Sequence, residues 1–306
     1  MSEGRILVTG ASGLIGRTLL ARLRADGRPA IGLDMAPKPG DPEVETADLT
    51  DIHRLHALAG RFEIDAVVHC GAVSGPMVMI DNPYGIVQAN VVGTANILEL
   101  ARVRRMRRVV FCSSTSAYGP TTEPADPEGV PEDVPLRPTS VYGATKVASE
   151  QLLSAYRQQH GLDALSVRLS WVYGPGRTTD CVIRTMIEDA RAGRPTRMGW
   201  GRDFARQFIH VDDAVEALLA ALDAPSGKAG PVYTATGGTY LTLGEIGAVV
   251  ASVLPGASIE LEPGPDPLDD PQHRFDIRAI GRDLGYAPRR TLEDGIRNYA
   301  DWLSAR

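Results

Sequence analysis

The segment RILVTGASGLIGRTLLARLRADG (Arg5–Gly27) constrains the fold of this chain more than any other. An apolar, β-branched run passes through a glycine-rich turn into a stretch of helical periodicity that stops at Gly27. A helix after a strand is the kind of crossover connection that parallel pairing requires. Further strands are expected at Pro29–Asp34, Asp65–Cys70, Arg107–Ser114 and Ala164–Ser170, separated by helical patterns, notably Gln88–Val103 and the stretch from Pro138 to Tyr156. Near-continuous apolar strands alternating with helices predict an α/β fold: a doubly wound parallel sheet covered on both faces.

The pattern changes after VYGPGR (Val172–Arg177), where Pro and Gly become frequent and helices such as CVIRTMIEDARAG stand among loops. EPGPDPLDDPQH (Glu262–His273) reads as an irregular acidic connector. These features predict two domains. Residues 1–175 form a dinucleotide-binding domain, and 176–306 form a smaller, mainly substrate-binding lobe. HVDDAVEALLAAL (His210–Leu222) is amphipathic, and about 206–240 are expected to pack back on the first domain.

With 306 residues the chain can bury a sizeable core, and its formal charge of −6 argues against nucleic acid as a partner. The basic run RVRRMRR (Arg102–Arg108) reads as a helix end whose cations suit the dipole. No apolar run approaches a membrane span, and MSEGRILVTG enters a strand at once, so neither a membrane nor a signal peptide is expected. Cys70, Cys112 and Cys181 are widely spaced beside apolar residues, which predicts reduced thiols in a cytoplasmic protein. The histidines are scattered, and no metal is expected.

In TGASGLIG (Thr9–Gly16), Gly10, Gly13 and Gly16 recur every third residue between strand and helix. Glycines there permit a tight turn and let backbone N–H groups approach a pyrophosphate, the dinucleotide site of a Rossmann-type fold. The neighbouring Ser12, Leu14 and Ile15 belong to the same expected cofactor-binding turn. Asp34, ending the second strand, is placed to accept hydrogen bonds from an adenine-ribose diol and to repel a 2′-phosphate. No Arg follows it at once, although Lys38 is near, so NAD is the expected cofactor. Asp48, in TADLTD, lies with Leu49 near the expected adenine position, where a helix cap or loop acid is an equal reading.

Tyr142 and Lys146, in VYGATK, are one helical turn apart on one face. Alone, such a pair is more often packing and solvation. Ser113 and Ser114 end the strand RRVVFCSS, at the sheet edge where parallel-sheet enzymes bind ligands. A dinucleotide site, a strand-end serine and a Tyr/Lys pair together supply what alcohol oxidation needs. The carbinol must lose a proton while its carbon gives a hydride to nicotinamide.

The order Ser, Tyr, Lys resembles the extended short-chain dehydrogenase/reductase family, which includes the NAD-dependent epimerases and dehydratases. The resemblance covers nearly the whole chain through TGASGLIG, Asp34, HCGA, NVVGT, SSTSAYG, YGATK, RLSWVYGPG and RQFIHVDD. It implies Tyr142 as the acid/base, Lys146 as the lysine that holds the nicotinamide ribose, and Ser114 as the residue orienting the reacting hydroxyl. A free tyrosine titrates near pH ~10, so work near neutrality requires roughly 4 kcal/mol in favour of the phenolate; a lysine and an oxidised nicotinamide, both cationic, could supply it. The resemblance also places Cys70, Gly71, Ala72, Asn90, Cys112 and Leu169 along the cofactor, and Ser74, Ser116, Trp171, Arg206 and Arg274 toward the substrate. It implies a homodimer through helices matching Asn90–Arg104 and Val141–His160.

Three departures bear on substrate. Thr115-Ser116 stands where the sugar dehydratases carry Asp-Glu, which removes the acid/base for water elimination. Ser170-Trp171 stands where nucleotide-sugar epimerases commonly carry Phe-Asn, and an indole has one donor and no acceptor. Asp266 falls where the family usually has a diphosphate-binding arginine, although Arg206 matches another such arginine and Arg274 is near. The expected function is therefore NAD-dependent oxidation of a secondary hydroxyl on a carbohydrate or sugar-derived substrate without a nucleotide handle. A UDP-sugar 4-epimerase-like enzyme is the alternative. A non-catalytic dinucleotide sensor fits poorly with an intact Ser114, Tyr142 and Lys146.

Overall fold

A computed structural model describes residues 4–37, 41 and 43–305, so Lys38 lies outside the described residues. The first lobe runs β1 (Arg5–Thr9), α1 (Leu14–Ala25), β2 (Ala30–Asp34), β3 (Val44–Thr46), α2 (Ile52–Arg61) and β4 (Ile64–His69). It continues through α3 (Pro83–Val87), a π-turn (Gln88–Val92), α4 (Gly93–Arg104), β5 (Arg108–Ser114), α5 (Val141–His160) and β6 (Ala164–Leu169). Then follow β7 (Trp171–Tyr173), α6 (Val182–Arg191), β8 (Thr196–Met198), β9 (Ala205–Arg206), β10 (Phe208–His210) and α7 (Val211–Asp223). The chain ends with β11 (Val232–Ala235), β12 (Leu241–Thr242), α8 (Leu243–Val253), β13 (Ile259–Leu261), α9 (Arg278–Leu284) and α10 (Leu292–Ser304).

Seven strands form one parallel sheet in the order β11-β6-β5-β4-β1-β2-β3. Alternation along each strand feeds two cores. Ile6, Val8, Val68 and Val110 face α1 and α7, burying Leu19, Leu23 and Leu218. Leu7, Val67, Val109 and Phe111 face α2, α4 and α5, burying Leu55, Leu98 and Leu153. Each such leucine contributes roughly 1.5–3 kcal/mol over an exposed one. The sheet is Rossmann-like and doubly wound, as the strand–helix alternation predicts.

A third core gathers α6, α8 and α10 around Ile183, Met186, Ile246, Ile296 and Tyr299, and makes the smaller lobe. Among the described residues, no helix is long and apolar enough to cross a membrane.

Two buried networks fix the helix that carries Tyr142. Glu150 of α5 pairs with Arg168 of β6 at 2.7 Å and accepts from Ser113 Oγ at 2.5 Å. Asn90, in the π-turn, accepts from Val73 N at 2.8 Å and donates to Thr145 Oγ1 at 3.0 Å. Such a turn commonly marks a functional position. Here it bonds the loop after β4 to α5.

Candidate active site

A cleft of about 470 Å³ opens at the carboxyl ends of the sheet strands, where a parallel sheet leaves backbone groups unpaired. At one end stands the turn between β1 and α1. Gly10 has φ +65°, and a Cβ there would meet the backbone of Cys70 and Gly71 at 2.8 Å, so only glycine fits the turn. Helix α1 begins after Gly13 with no side-chain cap and no acid in its first turn. Its free N–H groups suit a pyrophosphate. Gly10, Gly13, Leu14, Ile15 and Gly16 line the cleft, with Asp34, Asp48 and Leu49 beyond them. Asp34 accepts from Ser12 N and Ala36 N, each at 2.9 Å, which fixes its carboxylate with lone pairs left for a diol. The residues present therefore fit a dinucleotide.

Cys70, Gly71, Ala72, Ser74, Cys112, Ser114, Ser116 and Leu169 form the middle of the cleft, with Tyr142 and Lys146 in its wall. Ser140 caps α5 by accepting from Gly143 N at 3.1 Å. A Cβ on Gly143 would stand 2.4 Å from Ser116 O, so glycine lets α5 press against the turn after β5 and brings Tyr142 to the Ser114 end of that strand. Ser114 Oγ accepts from Ser116 N at 3.1 Å. Lys146 is buried, and its Nζ donates to Cys112 O at 2.7 Å. The same Nζ lies 5.6 Å from the Tyr142 ring centre. Among the described residues no carboxylate lies within ion-pair distance of Lys146, so its charge acts on the cleft.

Behind this wall, His69 sits between Thr9 Oγ1 (2.6 Å) and Thr94 Oγ1 (3.1 Å). Burial, with the Lys146 charge adding, pushes its pKa down to about 3, so it is a neutral strut.

At the far end, Trp171 lines both the cleft and a small adjoining recess. Its indole donates to Asp269 Oδ2 at 2.8 Å. Arg206 stacks on that indole, 4.1 Å from the ring centre, and one of its nitrogens meets Asp266 at 2.6 Å and Asp269 at 2.8 Å. The guanidinium is 6% exposed, and its Nε has no partner. Burial raises the Asp269 carboxyl above the usual carboxylate range, with Asp266 adding and Arg206 opposing.

Three expected positions differ. Ser12 does not line the cleft, because its N–H turns to Asp34. Asn90 is buried behind the wall, and its amide holds Val73 and Thr145 instead of facing a cofactor. Arg274 is exposed and lines neither hollow, since its backbone pairs with Val130 and carries the side chain outward. Other residues come from segments without a recognised signal. Asp269 was visible only as part of an acidic run. Arg177, Thr178 and Thr179 follow the VYGPG turn into the cleft, and the Arg177 guanidinium is held by the carbonyls of Val172, Thr179 and Asp180. No cluster of metal-ligating side chains occurs among the described residues.

Residues 6–235 match the model of the NAD-dependent epimerase/dehydratase family. The chain belongs to that family. The family is one of NAD-dependent enzymes, and NAD is the cofactor. The chain is 35% identical to a UDP-glucose 4-epimerase of Mycolicibacterium smegmatis, with 98% of each chain covered. Among solved structures it resembles MoeE5 in complex with UDP-glucose and NAD (28% identity, TM-score 0.86, 99% of each chain). It also resembles a partial consensus L-threonine 3-dehydrogenase (25% identity, TM-score 0.87, 99% of this chain and 100% of that one).

Proposed function

We propose that this epimerase/dehydratase-family chain oxidises a secondary hydroxyl of a carbohydrate substrate that carries no nucleotide. The observation that carries the oxidation is the buried pair Tyr142 and Lys146 in the wall of the NAD-shaped cleft, with the Lys146 charge unpaired. When bound along the cleft, NAD would supply the hydride acceptor for the carbinol carbon. Tyr142 receives the hydroxyl proton at its phenolic oxygen, and Ser114 holds the reacting hydroxyl by hydrogen bond. Lys146, whose Nζ lies 5.6 Å from the Tyr142 ring centre, binds the nicotinamide ribose. Asp34 accepts from the adenine ribose, and the N-terminus of α1 binds the pyrophosphate.

The substrate class rests on Arg206. Its guanidinium already has two carboxylates and an indole as partners, so a diphosphate would have to displace Asp266 and Asp269. Trp171 offers the sugar an apolar face. A UDP-sugar 4-epimerase is the second reading, favoured by the 35% identity to such an enzyme over nearly the whole chain. Water elimination is not proposed, because Thr115 and Ser116 follow Ser114 where an acid pair would be required.

The division at about residue 175 assigns NAD to the first domain and most substrate contacts to the second. A homodimer through α4 and α5 completes the reading, supported by the exposed Val92, Val103 and Val141 on those helices and the turn before them. Sedimentation of a dimer supports it, and a monomer at micromolar concentration counts against it. The chemistry is tested by Tyr142→Phe, which keeps the ring and removes the acceptor. Turnover is expected to fall by roughly 10²-fold or more with NAD binding retained; near-normal turnover would assign the pair a purely structural role.

A further inference from the structure

Cys70 and Cys112 are far apart in sequence, yet the fold sets them side by side. The parallel register of β4 and β5 pairs His69 with Phe111, whose rings lie 5.7 Å apart. The next residues along, Cys70 and Cys112, therefore neighbour each other on the opposite face of the sheet. Both line the cofactor cleft, Cys70 half-buried and Cys112 buried. The neighbouring Cys112 sulfur and burial push the Cys70 thiol up, whereas Cys70 and the Lys146 charge outweigh burial and favour the Cys112 thiolate. Cys181 lies apart, in the core of the smaller lobe.

We propose that Cys70 and Cys112 are an oxidative modification site, a dithiol that a peroxide entering the NAD-free cleft closes to a disulfide. Neighbouring parallel strands stand about 4.8 Å apart, and disulfides span Cα separations of about 4.4–6.8 Å, so closure needs only a small movement. The Cys112 thiolate attacks one peroxide oxygen, the O–O bond breaks, and the leaving hydroxide takes a proton to become water. Cys70 sulfur then displaces hydroxide from the resulting sulfenic acid, forming the S–S bond and releasing a second water with the thiol proton. In sum, two thiols and one peroxide give one disulfide and two waters, and the two electrons lost by sulfur reduce the peroxide.

The link would alter cofactor binding. Cys112 O is the acceptor of Lys146 Nζ, and the Cys70–Gly71 backbone abuts the Gly10 turn. Drawing the two strand ends together shifts both contacts.

The test treats reduced, NAD-free protein with hydrogen peroxide, then counts thiols in denaturant and maps non-reduced peptides by mass spectrometry. The expected result is a fall from the three free cysteines to one, with a Cys70–Cys112 linked peptide. NAD affinity should drop by about tenfold or more and return with dithiothreitol, and NAD at ten times its Kd should slow linkage by about tenfold. Three titratable thiols after treatment, or a product with no linked peptide, would overturn the proposal. A peroxide-induced loss of NAD binding that persists in Cys112→Ser, relative to that variant before treatment, would also overturn it. The peptide map on the unaltered chain decides the matter even if that variant fails to fold.

Discussion

Releasing Arg206 should create affinity for a nucleoside diphosphate. Two carboxylates, Asp266 at 2.6 Å and Asp269 at 2.8 Å, hold one guanidinium nitrogen, while Asp269 also accepts from Trp171. In Asp266→Asn/Asp269→Asn both charges vanish and the side-chain volumes remain. The unbound variant then carries a buried cation without its counterions, which costs about 3 kcal/mol and lowers Tm by roughly 5 °C. A diphosphate can now take the place of the two carboxylates. Hydrogen bonds between charged groups contribute about 1.5–3 kcal/mol each, and one net bond corresponds to roughly 10- to 150-fold in affinity. For the unaltered, NAD-loaded protein we expect UDP to bind no tighter than about 1 mM. The double variant should reach tens of micromolar by titration calorimetry, and UDP should restore part of its lost Tm. Asp266→Asn alone should gain little, because Asp269 still holds the arginine. Equal UDP affinity in the double variant and the unaltered chain would show that the two carboxylates do not withhold Arg206. Micromolar binding of a UDP-sugar to the unaltered chain, abolished by Arg206→Ala, would show that Arg206 already holds a diphosphate.

Other expectations follow from the same geometry. Asp34, fixed by Ser12 N and Ala36 N, should exclude a 2′-phosphate, so calorimetry should show NAD binding more tightly than NADP; equal affinities would remove Asp34 as the selector. Lys146→Met removes an unpaired buried cation from the cleft and should weaken NAD binding, with unchanged affinity assigning Lys146 to packing alone. His69 titrates at about 3 in the folded chain and at about 6.5 unfolded. The folded value is the lower, so the unfolded chain takes the proton first as pH falls. The His69 contribution is thus complete above pH ~6.5 and diminishes by roughly 1.4 kcal/mol per unit toward pH 3. The urea midpoint of His69→Gln should depend less steeply on pH across that window, and parallel profiles would contradict the burial argument.

The strands β1, β2, β4, β5 and β6 were legible because each is an apolar run buried on both faces. Two members of the sheet were not. β3 is three residues at the sheet edge, half-buried to exposed, so no apolar run marks it. β11 is a four-residue strand after a proline, in a region where Pro and Gly hide the alternation, yet it pairs with β6 and completes the sheet. At the site, residues whose roles follow from local geometry were legible: the glycine turn, the strand-end Ser114, and Tyr142 and Lys146 one helical turn apart. Contacts set by long-range packing were not. Asp269 reaches Trp171 and Arg206 across the smaller lobe, and Cys70 meets Cys112 through the register of two strands. Asn90 shows the converse. Its place in the NVVGT motif implies the cofactor, but the π-turn directs its amide to α5.

In a dehydrogenase of this kind, oxidation ends in release of the product from a substrate without a nucleotide. A panel of free sugars, sugar acids and nucleotide sugars, each incubated with the enzyme and NAD, tests it most directly by absorbance of NADH alongside chromatography of the sugars. NADH should accumulate in proportion to an oxidised free sugar or sugar acid, and roughly 10²-fold or more slowly in Tyr142→Phe. Interconversion of a UDP-sugar with its 4-epimer, without NADH accumulation, would contradict it and establish the epimerase.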